Sequence, residues 1–320
     1  MNAVSSASNI RVLNVDLLVP SPLNPRRHSE WQLDEGELRP LADSLRAQRQ
    51  WDLITVRPWS EEAGKFEIIN GERRWRAAYL AGLTALEARV LELDDAAALA
   101  MMMQTGGGAL TVPLSPMAEA HGLEEQVRLL SRSQKDVAVT LGMSPVELSR
   151  KLSWLDLPKA AQVALDRGWL KPALANVIAS VPGEKARAEF ARAVMHPEHV
   201  EGPLTVRAAV ALRDEEFAQT LRGAPFKLDD AGLVPEAGAC SGCPFMAGNN
   251  PEVYGELPRE KRGTCMMPEC FAKKCAAVRA VVVAEYAARG VVALEGAENE
   301  AAFPRGGRWA GFSLEAGGIP

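Results

Sequence analysis

Ile68-Ile69-Asn70-Gly71-Glu72-Arg73-Arg74-Trp75-Arg76-Ala77 is a short apolar strand that passes through one glycine into a helix carrying three arginines in its first turns. A helix N-terminus leaves backbone N–H groups unpaired and carries partial positive charge, so it attracts anions. Glycine at the junction lets a ligand approach the backbone. Arg73, Arg74 and Arg76 add forked donors suited to phosphate oxygens. The local pattern therefore points to a phosphate site, weighed evenly against arginines that are solvated or paired with carboxylates.

Outward from this stretch, strand and helix signals alternate. Residues 10–20 carry an apolar alternation that predicts a strand, and Pro20, Pro22 and Pro25 force an extended loop after it. Leu38, Leu41, Ala42 and Leu45 recur at helical spacing in an expected helix over 37–48. Strands are expected over 53–57, 65–70 and 86–93, and helices over 72–81, closed by Gly82, and 94–104. Thr105-Gly106-Gly107-Gly108 reads as a flexible connection rather than a phosphate loop.

Gly71 to Ala77 resembles the GERR-(aromatic)-RA box of the ParB/RepB partition-protein family. Asn24-Pro25-Arg26-Arg27 is similar to that family's NPR box, and Leu38 to Arg57 resembles the helix and Val-Arg strand between the two. Order and spacing both match, over roughly residues 10–180. The resemblance implies CTP binding in the N-terminal domain, recognition of a short double-stranded DNA site, and closure of a homodimer into a clamp that spreads on DNA beside a ParA-like ATPase. It carries a nucleotide-binding role to Arg26, Gly71, Glu72, Arg73, Arg74 and Gln104. The family's second box, ENxQR, falls on Met101-Met102-Met103-Gln104-Thr105, where only Gln104 remains, and 106–112 reads as an insertion. Thioethers are poor ligands for Mg²⁺, which takes hard oxygen donors. The expectation is weak Mg²⁺ binding and weak or absent CTP hydrolysis, with nucleotide binding left open and no catalytic residue assigned.

Ser115 and Pro116 open a helix expected to run to Leu130. Residues 133–153 then form a helix-turn-helix pattern: Val137, Ala138 and Leu141 make an apolar face, Gly142 turns, Ser144 caps, and Val146, Leu148 and Leu152 face back. In that motif the second helix enters the major groove. Gln134, Ser144, Glu147, Ser149, Arg150 and Lys151 are the candidate DNA-contacting residues. Further helices are expected over about 160–176, 184–195 and 206–221.

No cysteine precedes Cys240, and five fall between there and Cys275. Cys240-Ser241-Gly242-Cys243 is a CxxC knuckle, and Cys265 and Cys270 complete a candidate four-sulfur metal site. Zinc is the expected ion, an iron–sulfur cluster the alternative, and Cys275 either a spare thiol or a substitute for Cys265 or Cys270. A metal would stabilise a glycine- and proline-rich segment with little core. His196-Pro197-Glu198-His199 reads as a surface turn.

The net charge of −5 weighs against nonspecific coating of DNA, since phosphate contacts need Lys and Arg, but leaves room for one basic face. No apolar run reaches the roughly 20 residues of a membrane helix, and residues 1–9 lack a secretory pattern. A cytoplasmic, nucleoid- or plasmid-associated protein is expected.

The fold class expected is α+β. It comprises a ParB/sulfiredoxin-like α/β domain over 1–113, an all-helical DNA-binding domain over 114–222 and a cysteine-rich metal-binding module with a helix over 223–320. The function expected is sequence-specific DNA binding in plasmid or chromosome partition. A transcriptional repressor of a mobile element is the alternative, and a nuclease on the same fold is less favoured. Sulfiredoxin chemistry needs a nucleophilic cysteine near the phosphate box, and the first 239 residues hold none.

Overall fold

The computed structural model describes residues 9–48, 50, 52–104, 112–131, 133–197, 202–255 and 257–290. Two compact units divide the chain: Met1–Glu216 with Pro251–Glu256, and Phe217–Asn250 with Leu257–Pro320. Among the described residues no helix is long and apolar enough to cross a membrane.

The first unit begins with a five-stranded mixed sheet. Its strands are β1 (Ile10–Asn14), β2 (Leu18–Pro20), β3 (Ile54–Pro58), β4 (Phe66–Asn70) and β5 (Ala85–Val90). Their order is β1-β5-β3-β4-β2. The single strand expected over 10–20 is two, because Asn14 accepts from the Asp16 N–H and tightens Val15–Leu17 into a 3-10 turn. Helices α1 (Glu35–Gln48) and α2 (Glu72–Ala81) pack on the sheet, burying Leu45, Ile54, Ile68, Ala77 and Ala78 in one core. Helix α3 (Asp95–Gln104) follows. The glycine segment 105–108, like Glu198 and His199, lies outside the described residues.

Beneath the sheet edge sits a buried polar cluster. Glu67, 1% exposed, accepts from the Ser21 hydroxyl and from Arg57 Nε at 2.6 Å. Arg57 also reaches Asp95 at 2.6 Å and the Leu93 carbonyl at 2.9 Å. A buried carboxylate is tolerable only when it is paired and hydrogen-bonded in this way.

The rest of the unit is helical: α4 (Pro116–Leu130), α5 (Gln134–Leu141), α6 (Pro145–Ser153), α7 (Lys159–Asp166), α8 (Pro172–Ala179), α9 (Glu184–Met195) and α10 (Val206–Phe217). The helix expected over 160–176 is broken into α7 and α8. Gly168 takes φ +78° and Pro172 starts the second helix. The segment after the Asn24-Pro25 box docks on these helices through one carboxylate. Asp166 accepts from Ser29 Oγ at 2.8 Å, Trp31 Nε1 at 2.7 Å and the Met117 N–H at 3.1 Å. Beside it His28 and His121 stack with ring centroids 3.8 Å apart. A short helix, α11 (Pro251–Tyr254), belongs to this unit.

The second unit pairs β6 (Gln219–Thr220) with β7 (Thr264–Cys265) antiparallel. It adds α12 (Arg259–Arg262) and a long α13 (Pro268–Ala288). Leu221, Phe226, Cys240 and Cys265 form its small buried core.

Two expectations follow. Gly71 sits at φ +102°, and a Cβ there would meet Ile54 Cγ2 at 2.6 Å, so Gly71→Ala should destabilise the chain by about 1–3 kcal/mol in urea unfolding. Burial first, and then His121, Arg27 and Lys159, push the His28 imidazole below its ordinary value, with Glu124 opposing. A folded value below the unfolded one means stability that is full above about pH 6.5 and fades as pH falls through the folded value. Thermal melts should therefore fall on acidification below about pH 6.5, and His28→Phe, which keeps a ring in the stack, should flatten that dependence.

Candidate functional site

A cleft of about 590 Å³ opens at the junction of β4 and α2. Gly71 is the N-cap of α2 and offers no side chain to its amides; only a positive-φ residue without a Cβ fits between β4 and Ile54. The first amides of α2 are therefore left facing the cleft without helical partners. Arg26, Gly71, Glu72, Arg73 and Arg74 all line it.

The arginines are held by the backbone around them. Arg26 donates to Gln32 Oε1 at 2.7 Å and to the Val112 and Pro113 carbonyls. Arg73 donates to the Gln32 carbonyl and to that of Glu37 at 3.1 Å. Arg74 reaches the Leu53 carbonyl and Asp52, each at 3.2 Å. Carbonyls fix guanidinium planes without cancelling their charge. Burial, then repulsion from Arg73, pushes Arg26 down to about 10, with Glu72 opposing. Burial also lowers Arg73 and Arg74. A cluster of desolvated cations gains most from a polyanion.

Glu72 plays a different part from the arginines. It is 4% exposed; Oε1 accepts from Arg76 Nε at 2.9 Å and Nη2 at 2.6 Å, while Oε2 accepts from Asn24 Nδ2. Arg76 is thus turned to Glu72 rather than into the cleft. Asn24 also accepts from the Arg26 N–H at 3.0 Å, so it orients Arg26 and Glu72 together. Both Glu72 oxygens are occupied, and Asp52 is paired with Arg74. The cleft suits phosphate far better than it suits Mg²⁺, which needs free oxygen donors.

Gln104, the last residue of α3, is exposed and is not among the described residues lining the cleft. Met102 is a core residue packed with Ile69 and Ala98, and Met103 packs on the core under α4 to α6; Met102 alone of the methionine run touches the cleft wall. Arg89 and Thr55, paired in register on β5 and β3, line the cleft but carry no sequence signal of their own. The alternating burial of β5 puts Arg89 on its exposed face, and only strand pairing brings it here. Asp94 and Asp95, the acidic pair nearest the box, serve structure: Asp94 caps the Ala97 N–H at 2.8 Å and Asp95 pairs with Arg57.

The helix-turn-helix forms on α5 and α6. Ser133 and Ser144 cap them, accepting from the Asp136 and Glu147 N–H groups, and Gly142 turns between them at φ +69°. Val137, Ala138 and Leu148 are fully buried with Leu123 of α4. Gln134, Ser144, Glu147 and Arg150 are exposed; Ser149 and Lys151 are half-buried. Lys151 is turned inward, bonding Glu119 of α4 at 2.6 Å and Glu147 at 3.0 Å. Arg150 Nε donates to the Glu252 carbonyl at 3.0 Å.

In the second unit Cys243 N–H donates to the Cys240 carbonyl at 3.1 Å, closing the knuckle. Cys265 lies in β7, its sulfur accepting from the Met267 N–H at 3.4 Å, and Cys270 lies in the first turn of α13. Burial pushes Cys265 up to about 11; the Met267 amide opposes, and repulsion from Cys270, Cys243 and Cys240 adds. Burial raises Cys270 too, opposed by Lys274, with Cys240 and Cys243 adding. Cys275 is raised by burial alone and packs into the apolar core. Cys240, Cys243, Cys265 and Cys270 lie near enough to interact electrostatically, and Cys275 packs on the same core as Cys240 and Cys265. Among the described residues, however, no three His, Cys, Asp or Glu are gathered tightly enough to hold an ion as they stand.

The chain matches the family model of the ParB N-terminal domain over residues 1–106 and that of the ParB HTH domain over 112–215. It is 31% identical over 233 residues to a probable chromosome-partitioning protein ParB of Xylella fastidiosa strain Temecula1, covering 71% of this chain and 72% of that one. Against Caulobacter vibrioides ParB it is 32% identical over 198 residues, covering 62% and 60%. The C-terminally truncated ParB of Caulobacter crescentus, solved with the centromeric parS site, is 30% identical with a TM-score of 0.43, covering 63% of this chain and 97% of that one. Two domain models in sequence order, and a relative aligned over more than two thirds of both chains, place the protein in the ParB family of chromosome-partitioning proteins.

Proposed function

We propose that the protein is a sequence-specific double-stranded-DNA-binding factor for plasmid or chromosome partition, gated by a nucleoside triphosphate in the Gly71 cleft. The observation that carries the nucleotide reading is the convergence of Arg26, Arg73 and Arg74, each desolvated, on the uncapped N-terminus of α2. CTP is the nucleotide implied by the match of Gly71 to Arg74 to the family's box. The same geometry argues for binding without efficient hydrolysis, because among the described residues the two carboxylates lining the cleft are already engaged, Glu72 by Arg76 and Asn24 and Asp52 by Arg74, and the ENxQR position is filled by packed methionines. We read the DNA-bound form as a homodimer, partnered by a ParA-like ATPase and associated with nucleoid or plasmid. On α5 and α6, Gln134, Ser149 and Arg150 remain the best-placed DNA contacts; Lys151 acts by holding α6 on α4.

The cysteine module is read as a zinc site made by Cys240, Cys243, Cys265 and Cys270. Sulfur donors on a knuckle, a strand and a helix start suit tetrahedral zinc. The unit's two-residue strands and small core need such a staple. Cys243 and Cys270 are only half-buried, which leaves them room to close on an ion.

Calorimetry should detect CTP binding without added Mg²⁺, with Mg²⁺ changing affinity little, and Arg73→Ala should abolish the heat; robust DNA-stimulated CTP turnover would overturn the weak-hydrolysis reading. Fluorescence anisotropy on duplexes carrying the partner plasmid's or chromosome's centromere site should show Arg150→Ala weakening specific binding by about 1–3 kcal/mol if it meets a base. Equal loss on random duplex would assign it to the phosphate backbone instead.

A further inference from the structure

We propose that α11 is a positioning element for Arg150, fixing its guanidinium for readout of a base edge; the inference rests on the DNA-reading role given to α6 above. Residues Pro251–Glu256 belong to the first unit, although the chain on either side of them, through Asn250 and from Leu257, belongs to the second. One turn, closed by the Gly255 N–H donating to the Pro251 carbonyl at 2.8 Å, is too short a helix to stand by itself. A buried anchor holds it instead. Tyr254 is 8% exposed, and the Arg213 guanidinium lies over its ring, 5.6 Å from the centroid. Arg213 is itself buried and fixed in plane, donating to Ser180 Oγ at 3.1 Å and to Asp214 at 2.7 and 3.0 Å.

So anchored, α11 packs on α6, and there Arg150 Nε donates to the Glu252 carbonyl at 3.0 Å. Of the two basic side chains on α6, Lys151 is committed to Glu119 and Glu147. Arg150 forms no ion pair among the described residues and keeps its charge. A carbonyl is a neutral acceptor, so it sets the plane of the guanidinium without cancelling it. Because the bond uses Nε, the terminal nitrogens Nη1 and Nη2 stay available as a fork for O6 and N7 of guanine in the major groove. An exposed arginine loses rotamer freedom when it binds, and a bond already made in the free protein removes part of that loss. One neutral acceptor does not sequester the residue from DNA, since α11 offers Arg150 no countercharge.

The test uses the full chain and a duplex that the wild-type protein enriches from a randomised pool, with a scrambled duplex beside it. The readout is the ratio of the two affinities by fluorescence anisotropy. Tyr254→Ala, which frees α11, should lower that ratio roughly 3–10-fold, the scale of one hydrogen bond, through loss on the enriched duplex alone. Tyr254→Phe, which keeps the ring under Arg213, should retain it. In an Arg150→Ala background Tyr254→Ala should change the ratio no further, because both act through one contact. Should Tyr254→Ala fail to fold, Pro251→Gly, an exposed change that loosens the start of α11, carries the same expectation. An unchanged ratio, an additive loss in the double variant, or tighter binding once α11 is freed would each overturn the proposal; the last would make α11 an obstacle to DNA. If Arg150→Ala alone leaves the ratio unchanged, or the wild-type chain enriches no sequence, the DNA-reading assignment itself falls, and this proposal with it.

Discussion

The backbone can pass from β4 into α2 only by taking a left-handed step at Gly71, in a space where Ile54 excludes any Cβ. That steric constraint determines where everything else in the cleft lies. It aims the start of α2 away from the sheet, brings Arg73 and Arg74 alongside carbonyls of 32, 37 and 53, and drops Glu72 into a closed pocket against Asn24 and Arg76. The close packing of Ile54 beneath the glycine leaves no slack for a wider turn. Site and core are therefore one construction.

Within that frame the residues divide between charge that is neutralised and charge that is kept in reserve. Glu67 and Arg57 satisfy one another under the sheet, and Glu72 is matched by Arg76 and Asn24. Arg26 and Arg73 instead bond to carbonyls and glutamine, neutral acceptors that orient a guanidinium while leaving its charge in place. Desolvated cations of this kind make a binding site strained when empty and relaxed when an anion is present.

Local chemistry made much of this legible in the sequence. Glycine punctuation gave α2 its limits, and Ser115 and Ser144 marked helix starts by side-chain capping that needs no tertiary partner. What escaped notice depended on distant pairing or on competing local signals. Arg89 enters the cleft only because β5 lies parallel to β3 with Thr55 opposite it. Arg76 carries the residue type of a phosphate ligand, yet the carboxylate four residues earlier captures it. The apolar periodicity across 160–176 hid a break that Gly168 and Pro172 announce together.

Lys151 bears on how the protein would meet DNA in the cell's ionic environment. Its ammonium sits between Glu119 and Glu147 and is not free to displace a counterion from the duplex. Each phosphate contact that a reading helix forgoes makes the slope of log affinity against log salt shallower by about 0.9. If α6 lies against the duplex, a lysine engaged in this way makes that helix's grip less sensitive to fluctuating potassium than a free lysine at the same position would.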